Sequence, residues 1–124
     1  MGCDIHCHSE VKIAGVWHHL NEIDVNRNYR LFSMLAGVRL HPDVPQQFPV
    51  RGIPDDATVV TRMQFDSWGD DAHTPSWISA EEVRKVHDHF HVLIFGYFLG
   101  WNWMDEDLKA KGVEDARVVF WFDN

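Results

Sequence analysis

Residues 3–13 alternate strictly. Cys3, Ile5, Cys7, Ser9, Val11 and Ile13 fall on one side, and Asp4, His6, His8, Glu10 and Lys12 on the other. That period of two predicts a half-buried strand. Ala14-Gly15 then reads as a tight turn and residues 16–20 as the returning strand of a hairpin. Residues 24–37 read as a helix, with Asp24 or Asn26 as its N-cap, Gly37 as a left-handed C-cap, and Tyr29, Phe32, Leu35 and Ala36 as its apolar stripe. Ser79-Ala-Glu-Glu82 is a capping box. The helix it opens carries Val83, Val86, Phe90, Leu93 and Tyr97 at alternating spacings of three and four, which predicts a run to about Leu99.

The remaining stretches are less regular. Residues 39–55 hold four prolines and read as an ordered surface loop, and residues 67–76 read as a second loop. Residues 56–65 fit strand and helix equally. Residues 105–111 predict one more helical turn, and residues 117–122 are β-branched and aromatic on both sides, as in a covered strand. The order predicts an α+β fold: a small antiparallel or mixed sheet opening with an N-terminal hairpin, with two main helices on one face.

Composition narrows the picture. The 124 residues suit one domain, 1–124, and 45% hydrophobic residues with six Trp and eight Phe predict a packed core. A net charge of −8 argues against general nucleic-acid binding, which favours a basic face. The longest apolar run, residues 90–103, falls short of a bilayer span and is expected to be a buried helix or an oligomer contact. Cys3 and Cys7 would lie about 13 Å apart on one strand, beyond disulfide reach, which predicts free thiols and a reducing, cytoplasmic setting. No signal peptide is expected from the polar start.

Four constellations can carry chemistry. His6 and His8 project from one strand face about 6.6 Å apart and can converge on a divalent ion, zinc first among the candidates. Asp4 and Glu10 flank them as further ligand or orienting group. The same row also reads as an ordinary exposed polar face. In the second, Asp71 can serve as a general base and His73 as a remaining metal ligand, while Trp77 anchors the loop or contacts a ligand. Asp70-Asp71 equally reads as a capped turn. In the third, Arg51 has the planar fork that grips a phosphate or carboxylate, and Asp55 and Asp56 either bind a ligand or begin a helix. In the fourth, His87 and His91 stand four apart but lack the His-Glu-x-x-His pattern and read as half-buried core histidines. There is no phosphate-binding glycine loop and no nucleophile elbow.

Met-Gly-Cys-Asp-Ile-His at the start, Arg-Asn-Tyr-Arg-Leu-Phe at 27–32 with Ala-Gly-Val-Arg at 36–39, Arg-Gly-Ile-Pro-Asp-Asp at 51–56 and His-Thr-Pro-Ser-Trp at 73–77 together resemble a family of small proteins encoded by phages and prophages. The resemblance covers the first two-thirds of the chain and implies a source and a host-cell compartment, not a reaction.

Two expectations follow. One is a metal-dependent hydrolase of a phosphate ester or nucleotide, with His6, His8, Asp4 and His73 as ligands, Asp71 or Glu10 handling the proton, and Arg51, Asp55, Asp56 and Trp77 holding the substrate. The other is a non-catalytic accessory protein that binds a host protein or a small anionic signalling nucleotide through the same residues, with residues 90–103 as a homo-oligomer contact.

Overall fold

A computed structural model describes residues 2–96 and 110–124. Two strands, β1 (Asp4–Ile13) and β2 (Val16–Ile23), form the opening hairpin. Ala14 and Gly15 both have positive φ, 51° and 75°. That is the backbone of the two-residue turn whose twist matches flanking strands. Helix α1 (Tyr29–Ala36) follows, then α2 (Val59–Trp68), a single 3₁₀ turn at Gly69–Asp71, β3 (His73–Ser79), α3 (Ala80–Phe90) and β4 (Val113–Asp123). The four strands form one sheet in the order β2-β1-β4-β3, antiparallel throughout. The fold is α+β, as the alternation and the capping signals predict.

One face of the sheet is the apolar core. Ile5 pairs with Phe122, Cys7 with Phe120, Ser9 with Val118 and Val11 with Ala116, and all are buried. Leu31, Phe32 and Leu35 of α1 and Val83 and Val86 of α3 complete this layer. Both cysteines are free and buried within it.

Several boundaries differ from the expectation for local reasons. Helix α1 is capped by Asn28, whose side chain accepts from the Leu31 N–H, and not by Asp24 or Asn26. Gly37 does close it, at φ 70°. Helix α3 stops at Phe90, short of Leu99, because His91 turns left-handed at φ 57° and His87 Nε2 accepts the Phe95 N–H (3.0 Å) across the turn that follows. The continuation from 97 to 99, half of the aromatic segment 90–103 and most of the turn at 105–111 lie outside the described residues. The second predicted loop is largely regular: its first part belongs to α2 and its last part is strand β3. Pro75 fits there because β3 is an edge strand, where a missing N–H costs no ladder bond. The ladder to β4 is irregular between His73 and Ser76, and Thr74 takes up the distortion at φ 51°.

Helix α2, in the stretch ambiguous by sequence, covers the other face of the sheet. Its inward side is Thr61, Phe65 and Trp68. Phe65 meets Trp121 edge-on at 5.4 Å between centroids, and Trp68 lies 4.3 Å from the His6 ring. Thr61 is its one buried residue.

Candidate functional site

The face beneath α2 is polar where the opposite face is apolar. His6, His8 and Glu10 of β1 stand in register with Trp121, Val119 and Arg117 of β4. Alternation on β1 placed the first three on one side, but the sequence carried no sign that a helix would cover them.

Glu10 is the hub. It is fully buried, and its Oε2 accepts from the Thr58 N–H (2.9 Å), the Thr58 hydroxyl (2.6 Å) and the Thr61 hydroxyl (2.9 Å). Its Oε1 accepts from Arg117 Nε (2.8 Å). Burial alone would raise the carboxyl pKa; the threonine and arginine hydrogen bonds outweigh it, and the net shift is downward. Glu10 thus caps the N-terminus of α2 from the strand beneath it and neutralises a buried guanidinium. No acceptor capacity faces solvent, so the geometry gives Glu10 a structural role in place of the expected proton transfer.

Arg117 continues outward. Its Nη1 donates to Asp56 Oδ1 (2.9 Å) and its Nη2 to the Asp56 carbonyl (3.2 Å), while its guanidinium lies 3.8 Å from the Trp17 ring centroid. A second arginine is built the same way. Arg51 forms a bidentate pair with Glu82 (2.7 and 2.8 Å), donates to the Trp77 carbonyl (2.7 Å), and lies 4.7 Å from the Trp77 ring centroid. Glu82 is the carboxylate of the predicted capping box, so the start of α3 also fixes Arg51. The Arg51 N–H is held by the Ser76 hydroxyl (2.9 Å), which docks this loop on β3.

Between the two arginines lies a cleft of about 620 Å³ lined by Trp17, Arg51, Ile53, Pro54, Asp55, Asp56, Trp77 and Arg117. All four expected substrate-binding residues, Arg51, Asp55, Asp56 and Trp77, meet here. Trp17 and Arg117 were not anticipated. The available signal was Arg117 itself, the one charge between Asp115 and Asp123 of β4, and Trp17 opposite Lys12 on the strand face shared with Glu10. Asp56 is held by Arg117, which lowers its pKa, yet its side chain remains 65% exposed. Asp55 is exposed and makes no hydrogen bond or ion pair among the described residues.

The expected metal ligands are held apart. His6 Nε2 donates to the Asp123 carboxylate, and its ring lies between Trp68 and Trp121. His8, 1% exposed, is joined through Nδ1 to His19 Nε2 (2.9 Å) and stacks on Trp121. Burial lowers the His8 pKa, since its charged form is poorly solvated there. Asp4 is exposed and paired with Arg27 (3.0 and 3.1 Å). His73 pairs with Phe122 and stacks on it, on the opposite face of the sheet from His6. Asp71 is exposed in the 3₁₀ turn. Among the described residues, no group of three His, Cys, Asp or Glu side chains is placed to hold an ion. A second cleft of about 520 Å³ takes in Asp4 and His6, both already engaged as above. No described helix is long and apolar enough to cross a membrane.

Comparison of the chain with protein-family models, with curated proteins and with solved structures finds no match.

Proposed function

We propose that this chain is a phage accessory protein that acts by binding, and that its Trp17/Trp77 cleft receives a basic side chain from a host protein. The observation that carries the reading is the charge arrangement of the cleft. Each guanidinium is already matched to a carboxylate, Arg51 to Glu82 and Arg117 to Glu10 and Asp56. The charge left open to a ligand is that of Asp55 and the outward part of Asp56. An anionic phosphate would have to displace a bidentate carboxylate from Arg51 or Asp56 from Arg117. An ammonium or guanidinium meets the exposed carboxylates of Asp55 and Asp56 without displacing either arginine from its partner. The net charge of −8 steers the same class of partner.

Tryptophan fluorescence and calorimetry test this directly. A short lysine- and arginine-containing peptide is expected to bind at physiological salt, and Asp55→Asn/Asp56→Asn to weaken it by about tenfold or more. A nucleotide that binds more tightly than the peptide would sink the proposal.

A further inference from the structure

We propose that the outer face of α2 is a docking surface for an amphipathic basic segment of the partner, continuing from the cleft. This rests on reading the protein as a binder of a basic partner, and it names the rest of the contact.

Helix α2 is apolar on two sides. Thr61, Phe65 and Trp68 turn inward at spacings of four and three. Val59, Val60 and Met63 turn outward and are 72%, 47% and 67% exposed. Scattered single apolar residues are ordinary on a surface, whereas three within adjoining turns of one helix form a patch. Carboxylates stand at both ends of it. Asp55 and Asp56 precede the helix, and Asp66, three residues beyond Met63, shares its side. Asp70 and Asp71 follow in the 3₁₀ turn, and all five are exposed. The one basic side chain in this stretch, Arg62, donates to the Pro54 carbonyl (3.0 Å).

An apolar centre between acidic ends is complementary to a segment that presents aliphatic residues flanked by lysine or arginine. It disfavours a second copy of this chain, whose matching patch would bring the same five carboxylates against these. The helix is also held for the purpose. The Glu10 network pins its first turn to the sheet, so the outer residues are presented on a fixed backbone and little ordering is needed on binding.

The test uses the full chain, a fluorescent amphipathic Leu/Lys peptide, and a Lys/Ser peptide of the same charge. Val59→Ser/Met63→Ser is expected to weaken the Leu/Lys peptide by about tenfold or more while leaving the Lys/Ser peptide unchanged. Val60→Lys, which introduces a better helix former and adds charge of the peptide's sign, should act in the same direction; circular dichroism checks that both variants fold. Equal affinity of the variants and wild type for the Leu/Lys peptide overturns the inference and leaves the cleft reading standing. Loss confined to these variants, with Asp55→Asn/Asp56→Asn binding normally, supports the α2 surface and overturns the cleft. A wild-type dimer that Val59→Ser/Met63→Ser converts to monomer in sedimentation overturns the inference in favour of self-association.

Discussion

The two faces of the sheet are stabilised by different physics. Beneath α1 and α3, every inward residue of β1 except Ser9 is apolar, and Phe32, Phe120 and Phe122 pack edge-to-face at 5.1 to 5.8 Å. That layer depends on area removed from water, which is non-directional and tolerant of small shifts. Beneath α2, Val119 and Trp121 share the inward side with His6, His8, Glu10 and Arg117, and each polar group there must find a partner of the right kind at the right distance. Most do. Trp121 Nε1 and His8 Nε2 are buried without one among the described residues. An unmet buried group costs about 1–3 kcal/mol, so the stability of this face depends on directional partners. The cleft opens on the polar face, where directional groups hold two arginines and two tryptophans in fixed positions.

The sharpest break in this comparison is Glu10→Ala. It leaves Arg117 buried with only the exposed Asp56 and removes the remote cap of α2, and it should cost about 3–5 kcal/mol in urea denaturation. Adding Arg117→Met should recover much of that loss, because a buried pair is often replaceable by apolar groups of similar volume. If the double variant is no more stable than Glu10→Ala, the pair itself contributes net stability. On the apolar face, Leu35→Ala, at a fully buried site, should cost about 2–5 kcal/mol with no second substitution that rescues it so simply. Ser79→Ala removes the capping-box hydroxyl and should cost about 1 kcal/mol. The backbone N–H at position 79 and Arg51 still hold the Glu82 carboxylate in this variant, so peptide affinity should be little changed.

The smallest effect is a pH slope. The His8 pKa is lowered by burial from 6.5, so as pH falls below about 6.5 the unfolded chain takes up a proton that the folded chain refuses. Stability therefore declines with acidification through that window and levels off below the folded value. His87, lowered by burial in the same direction but on the apolar face, adds to the decline. His8→Phe should flatten the slope only in part, measured as urea midpoint against pH. A slope unchanged in His8→Phe would place the acid sensitivity elsewhere. At lower pH, Glu10 and Glu82, both lowered, lose their contributions as pH falls below 4.5 through their folded values.

Elements specified by neighbours in the chain were legible in the sequence. The alternation of residues 3–13, the Ala14-Gly15 turn, Gly37 as C-cap and the Ser79/Glu82 capping box each depend on residues within a few positions, and each is where it was expected. Helix α2 was not legible, because it is apolar on both sides. Its inward stripe packs on Trp121, its outer stripe faces solvent, and the periodicity that marks an amphipathic helix is blurred. Strand β3 was hidden by Pro75 and by the turn-like composition before it. The cleft was legible in part. Arg51, Asp55, Asp56 and Trp77 stood out as types suited to recognition, whereas Trp17 and Arg117 acquire that role only through strand register.

By itself, then, the sequence determined the local architecture and the residue types that recognition can use, because caps, turns and alternation are short-range. Only the tertiary structure decided what those residues do. Glu10 meets Arg117 across 107 positions and Thr58 across 48, and that meeting turns a candidate base into a structural anchor. His6 and His73 fall on opposite faces because the ladder pairs His6 with Trp121 and His73 with Phe122, adjacent residues of β4 whose side chains point opposite ways. Register between distant strands sets which side chains share a face, and no local pattern in either strand encodes it.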